Sequence, residues 1–397
     1  MTEIQRKVYL DRLESGRDRT DVMKVITGMR RSGKTVLMRQ FMQRIIDSGV
    51  PKENVVYMNF ESYEWKDITD YDELLDEIFS RKVQGRMYVF LDEVQRVGSW
   101  EKAVNSLQVD ADADIYITGS NAFLLSSELS TFISGRYVEL KMLPLSFSEF
   151  LELHPGDREK RFRQYLRTGS LPIVDPDGDE AFEQELLIGV FNTVLMKDVL
   201  GRERSSNASV LNAVSEFLYS EIGSNISCNS ISEALKENNR QVRRYIDALR
   251  NAFLIYKAER YDIRGKKLLD TLEKYYVSDT GMRNAVLGIS SREDDSRLVE
   301  NVVYLELIRR GYEVSVGKYG DTEVDFTARR GNDIEYYQVT LSMMAETTYD
   351  REVRPFRMIK DNYRKTILSL DSFPLEISDG IRHCNVIDWL LGTEDGN

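Results

Sequence analysis

Apolar positions along this chain switch between two periods, and the switches mark its elements. Met23 to Thr27, Val55 to Met58, Met87 to Leu91 and Ile115 to Thr118 are short, nearly continuous apolar runs. Runs of that length read as strands buried on both faces, as in a parallel sheet. Between them, apolar residues recur at helical spacing. Val36 to Ile46 is one such stretch, Trp100 to Leu107 another, and Asp70 to Phe79 sets Tyr71, Leu74, Leu75 and Ile78 on one face. Ile4 to Leu13 predicts a further helix ahead of the first strand, and Tyr137 to Leu140 a fifth strand. Strands alternating with helices through short loops predict an α/β domain with a doubly wound parallel sheet over residues 1–142.

The loop after the first strand carries chemistry. Gly28-Met29-Arg30-Arg31-Ser32-Gly33-Lys34-Thr35 matches the Walker A pattern and sits between a predicted strand and a predicted helix that opens at Lys34. Gly28 and Gly33 let the backbone curl and aim N–H groups at phosphate oxygens, and the helix dipole adds positive potential. Lys34 would reach the β- and γ-phosphates of ATP, and the Thr35 hydroxyl would ligate Mg²⁺. The run Met87 to Leu91 ends in Asp92-Glu93, at the strand end where open α/β sheets bind ligands. Asp92 would hold Mg²⁺ through water, and Glu93 would act as general base on the attacking water. Arg136, just before the fifth strand, could meet a γ-phosphate in cis or, from a neighbour in a homo-oligomer, in trans.

From Leu143 the pattern turns helical to about Arg204, broken at Pro155-Gly156 and Asp175 to Gly178, which predicts a helical lid over 143–204. Residues 205–290 predict a winged-helix domain: three helices, the third from Asn239 to Asn251, then strands at Leu254 to Tyr256 and Lys274 to Val277 around a charged wing. Between Arg240 and Lys267 stand nine lysines and arginines against three acids. That local sign reversal predicts a DNA contact through Arg240, Arg243, Arg244, Lys266 and Lys267, with protein contact or internal packing as the alternative use. Residues 291–397 predict a helix from Leu298, strands at Glu313 to Val316, Glu323 to Phe326 and Tyr336 to Val339, and helices from Asp350 and Val386.

Composition narrows the classes. A length of 397 residues exceeds one ordinary core, so two to four domains are expected. The net charge of −12 argues against nucleic-acid coating of the whole surface. Cys228 and Cys384, with His154 and His383, give neither a disulfide framework nor a zinc pattern. No apolar run is long enough for a membrane span, and the first residues show no secretory pattern, so a cytoplasmic protein is expected.

Larger resemblances rest on these residues. Glu300 on a helix and Asp325 on the second strand resemble the PD-(D/E)XK nuclease fold, whose strand acids bind Mg²⁺ beside a lysine. Here Gln338 and Thr340 stand where the second acid and the lysine belong, which implies an inactive domain. Glu335, Lys360 and Lys365 are the nearby substitutes. Ile26 to Lys34, Phe90 to Gln95, Thr118 to Ser120, Gly135-Arg136-Tyr137, Tyr276 to Gly281, Glu300 to Glu306 and Glu323 to Phe326 together resemble the AAA+-type ATPases that carry a C-terminal DUF4143 domain. The resemblance implies an ATPase core, and a γ-phosphate sensor at Ser120 or Asn121 after the fourth strand, where a helix cap is the other use of such residues. The expectation is therefore an Mg²⁺-dependent ATPase that couples its nucleotide state to a winged helix and an inactive nuclease-like domain on DNA. The alternatives are a nucleotide-dependent switch acting on protein partners and an ATP-gated nuclease.

Overall fold

The structure is a computed structural model that describes residues 4–81, 84–122, 136–202, 207–289 and 294–393. The chain divides into two compact units, one over Met1–Pro144 with Asn251–Phe253, the other over Leu145–Arg250 and Leu254–Asn397.

The first unit is built on five parallel strands. These are β1 (Met23–Thr27), β2 (Val55–Asn59), β3 (Met87–Asp92), β4 (Ala113–Gly119) and β5 (Tyr137–Lys141), in the order β2-β3-β4-β1-β5. Every residue of β1, β3 and β4 is buried, which is why these segments read as nearly continuous apolar runs. Alternate side chains serve two cores. Val25, Val89, Leu91, Ile115 and Ile117 pack against α3 (Tyr71–Ser80) and α4 (Trp100–Asp110) through Leu74, Ile78, Val104 and Leu107. Ile26, Phe90 and Tyr116 face α1 (Lys7–Ser15) and α2 (Lys34–Asp47) through Leu10, Leu37, Met38 and Phe41. Each such side chain contributes roughly 1.5–3 kcal/mol on burial. Asp70 starts α3 with a capping box closed by Glu73, so a polar pair fixes where that helix begins. At the far end of the sheet from the loop, the Lys24 ammonium is paired with the wholly buried Asp114, which also accepts from the Tyr116 hydroxyl at 2.8 Å.

The second unit opens with α5 (Phe147–Leu153), α6 (Arg158–Thr168) and α7 (Glu180–Val194). These helices, expected as a lid, are hydrogen-bonded to a later segment of the same unit. Ser170 N–H donates to Asp279 Oδ2 at 2.6 Å, and the Asn284 amide donates to the Leu166 and Arg167 carbonyls at 3.2 and 3.1 Å. Then follow α8 (Ala208–Ser220), α9 (Cys228–Leu235) and α10 (Asn239–Asn251), with a tight turn through left-handed Lys236 between the last two. The hairpin expected as a wing is longer than the sequence pattern predicts, β6 (Ile255–Asp262) and β7 (Lys267–Val277). It does not stand apart. After α11 (Thr280–Leu287) and α12 (Asp295–Arg309) come β8 (Glu313–Tyr319), β9 (Thr322–Arg330), β10 (Asp333–Val339), α13 (Glu346–Met358), β11 (Arg364–Ser369), β12 (Ile381–Asn385) and α14 (Val386–Leu391). All seven strands form one sheet, in the order β12-β11-β10-β9-β8-β6-β7. β6 runs parallel to β8, with Arg260, Tyr261 and Asp262 opposite Val316, Gly317 and Lys318.

Candidate functional site

Parallel pairing brings the predicted residues to one edge of the first sheet. Thr27 is level with Gly119, and Leu91 with Ile117, so β1, β4 and β3 end side by side. The loop Gly28–Lys34 leaves β1, Ser120 and Asn121 follow β4, and Asp92-Glu93 closes β3.

The loop is shaped by left-handed backbone at Gly28, Arg31 and Gly33, with φ of 149°, 70° and 99°. A Cβ at Gly28 would stand 2.2 Å from the Met142 carbonyl oxygen, so only glycine fits. Met29 and Ser32 are buried, Arg31 is exposed, and Thr35 and Val36 sit half-buried on the first turn of α2. Arg6 braces the loop through its guanidinium, which donates to the Ser32, Leu143 and Pro144 carbonyls at 3.3, 3.0 and 3.2 Å. Arg30 ties the loop to its neighbours. It pairs with Glu61 at 3.1 Å and comes within 3.5 Å of Ser120 Oγ. Burial pushes the Glu61 carboxyl up, but Arg30 and Arg96 outweigh it and hold it below the usual carboxylate range. The Lys34 ammonium rests on the Gly28 and Met29 carbonyls at 2.9 and 3.1 Å.

Asp92 is wholly buried and fixed by three donors. Its Oδ1 accepts from the Thr118 hydroxyl at 2.5 Å, and its Oδ2 from the Asn59 amide at 3.1 Å and the Tyr57 hydroxyl at 3.2 Å. The Thr118 oxygen in turn accepts from the Glu93 N–H at 2.9 Å. Burial and the adjacent Asp92 raise the Tyr57 phenol above its ordinary range, so it stays a donor. Glu93 sits in left-handed backbone with φ of 57°, a conformation that costs a non-glycine residue about 1–3 kcal/mol and turns its side chain out of the strand direction. The Gln95 amide donates to Glu93 Oε2 at 2.5 Å.

Two buried polar atoms at this edge have no hydrogen-bond partner, Ser32 Oγ and Gln95 Oε1. Such atoms are costly in a finished interior and normal where a ligand completes the site. With the glycine-shaped loop, Lys34, the Thr35 hydroxyl and the buried Asp92, the donor set fits a magnesium nucleotide.

Arg136 is not brought to this edge. Its carbonyl accepts from Met23 N–H at 2.9 Å, at the opposite end of β1 from Gly28. Four strand steps make roughly 13 Å, so Arg136 lies away from the loop and its neighbours. Gly135 lies outside the described residues. Tyr57, Asn59, Thr118, Gln95 and Arg6 are the site residues that sequence reasoning missed. Asn59 and Thr118 carried a usable signal, since each is polar and ends or nearly ends an apolar run, as Asp92 does.

In the second unit, Arg240 and Arg243 are exposed along α10, Arg244 is half-buried over the Tyr245 ring at 5.8 Å, and Lys266 and Lys267 are exposed at the β6–β7 turn. The proposed substitutes near Asp325 are engaged elsewhere. Glu335 accepts from the Tyr312 and Tyr337 hydroxyls at 2.8 and 2.7 Å, and Lys365 donates to the Ile359 and Asp361 carbonyls at 2.8 and 3.1 Å. Lys360 is exposed. Among the described residues no helix is long and apolar enough to cross a membrane.

A five-stranded parallel sheet with a glycine loop after β1 and an Asp-Glu pair after β3 defines a P-loop nucleotide-binding ATPase domain of the AAA type. The family model for an AAA domain matches residues 20–151. The chain belongs to the same family as an uncharacterized protein of Haemophilus influenzae, to which it is 40% identical over 401 residues, 98% of each chain. An uncharacterized protein of Methanocaldococcus jannaschii is 30% identical over 379 residues, covering 89% of this chain and 81% of that one. Among solved structures, AMPPCP-bound DnaA from Aquifex aeolicus is 14% identical, covering 60% of this chain and 88% of that one, with a TM-score of 0.29. The second family model corrects the expected DUF4143 domain. It is the domain of unknown function DUF8612, and it matches residues 159–293, ahead of the segment in which the nuclease-like part was expected.

Proposed function

We propose that this protein hydrolyses ATP with Mg²⁺ and couples its nucleotide state to DNA held by the second unit. One observation carries the hydrolytic part, the Asp92–Thr118–Glu93 arrangement. A single hydroxyl bonds the buried Asp92 carboxylate and the Glu93 backbone N–H, so Asp92 and the Glu93 backbone are both held to the strand that Ser120 and Asn121 follow. Thr35 would ligate Mg²⁺, and Asp92 would hold it through water. Mg²⁺ supplies charge neutralisation at the phosphates. Lys34 would exchange its two loop carbonyls for phosphate oxygens. Glu93 would take the proton of the attacking water, and Ser120 or Asn121 would contact the γ-phosphate. The DNA part is supported by α9, the turn and α10, followed by a hairpin whose turn carries Lys266 and Lys267, the arrangement of a winged helix.

The test is steady-state ATP turnover of wild type and Glu93→Gln, with and without duplex DNA at low salt, where phosphate contacts are strongest. Loss of a positioned base costs about 10²–10⁴-fold, so turnover in the variant should fall by that factor while ATP still binds. DNA should raise wild-type turnover. Equal turnover in both proteins removes Glu93 as base. Indifference to DNA removes the coupling and moves the weight to a switch acting on protein partners.

A further inference from the structure

The second unit holds a cluster of ionisable groups around Lys274 on β7. The lysine side chain is 5% exposed, and its Nζ lies 3.1 Å from Glu300 Oε1 on α12, 3.0 Å from Glu323 Oε1 and 4.0 Å from Asp325 Oδ1 on β9. The Tyr276 hydroxyl donates to the same Glu300 oxygen at 2.7 Å. Arg260 holds the other Glu323 oxygen at 2.8 Å. Asp325 Oδ2 accepts from the Val339 N–H at 2.9 Å, while the Asp325 N–H donates to Gln338 Oε1 at 2.7 Å. The Gln338 amide nitrogen donates to Glu352 Oε2 at 2.7 Å. A cavity of about 610 Å³ opens on the carboxylates, lined by Glu300, Glu323, Asp325 and Glu352 and also by Arg351 and Arg354.

The nuclease resemblance asks Glu300 and Asp325 to share a divalent cation, and the residues present do not fit one. Magnesium sits about 2.1 Å from its oxygen ligands. An ammonium 3.1 Å from Glu300 Oε1 and 4.0 Å from Asp325 Oδ1 already stands between the two carboxylates, where the ion would go, and two cations cannot share the space. Gln338 gives its oxygen to a backbone N–H and not to the cleft. No three His, Cys, Asp or Glu side chains among the described residues are set to hold a metal. Burial pushes the Lys274 ammonium down, but Glu300, Asp325 and Glu323 outweigh it and keep it charged.

We infer that Lys274 is the resident cation of this cleft, taking the place of a divalent ion and tying β7, α12 and β9 together through Glu300, Glu323 and Asp325. The cleft of the native chain therefore takes no divalent metal, and removing the lysine opens a site for one. This inference does not rest on the proposed ATP chemistry.

The test is Mn²⁺ titration of the nucleotide-free full chain, followed by electron paramagnetic resonance and melting temperature. Wild type and Asp325→Asn should bind the same amount of Mn²⁺. Lys274→Ala should melt lower, bind one further Mn²⁺ per chain and regain melting temperature with it. Both gains should vanish in Lys274→Ala/Asp325→Asn. Mn²⁺ that binds wild type and is lost in Asp325→Asn would overturn the inference, as would a Lys274→Ala protein that gains no Mn²⁺. If Lys274→Ala does not fold, the comparison of wild type with Asp325→Asn still decides.

Discussion

Thr118 joins the Asp92 carboxylate to the Glu93 backbone with one hydroxyl, donating to Asp92 and accepting from the Glu93 N–H. Thr118→Val keeps the shape and removes both bonds. An orphaned buried donor or acceptor costs about 1–3 kcal/mol, and here the cost falls where Glu93 is oriented. Turnover should drop tenfold or more with nucleotide affinity changed only a few-fold, and Thr118→Ser should restore most of it. A drop confined to affinity, measured by nucleotide titration, would show that Thr118 does not set the geometry of Glu93. At this scale the sequence was readable where chemistry imposes a spacing. Lys34 and Thr35 follow Gly28 at fixed distance, and Asp92-Glu93 ends an apolar strand. Arg6 was not readable, because it reaches the Ser32 carbonyl across 26 residues of sequence and no spacing rule links them.

The α10 helix and the β6–β7 turn present the positive charge of an otherwise acidic chain. Arg240 and Arg243 are solvent-facing, so replacing both with alanine should leave the fold intact. If they contact phosphates, each lost contact lowers the slope of log affinity against log salt by about 0.9. The double variant should therefore bind duplex DNA more weakly, with a slope smaller by about 2, across different sequences alike. An unchanged slope in fluorescence anisotropy titrations would place the DNA elsewhere or exclude it. The first unit's five strands and its main helices were legible because burial of β1, β3 and β4 leaves them mostly apolar and the helices keep one apolar face. β11 and β12 were not. Their buried positions include Lys365, Ser369 and His383, whose polar atoms are satisfied inside the fold. Ser369 Oγ lies 2.8 Å from His383 Nε2, and His383 Nδ1 accepts from the Leu375 N–H at 2.8 Å. A pattern of apolar and polar letters cannot show a polar residue that is buried because its partner waits on the next strand.

Over the whole molecule, Arg136 bears on self-association. It immediately precedes β5, at the far end of the sheet from Gly28, and the reading that it meets a γ-phosphate in trans calls for a second copy of the chain. Specific turnover should then rise with protein concentration, and Arg136→Ala should remove that rise and leave turnover at the dilute-protein level. Turnover per chain that is flat with concentration would count against a trans role. The seven-stranded sheet sets a different boundary. Because β6 is paired with β8, a chain cut near residue 290 would leave the β6–β7 hairpin with bare backbone donors and acceptors, and would bare β8 on the other piece. Such open borders are templates for the nearest strand of any neighbouring chain. The residues expected to hold DNA and the nuclease-like residues are therefore one inheritance unit: evolution can retune either, but cannot shuffle one away without leaving the other prone to aggregate.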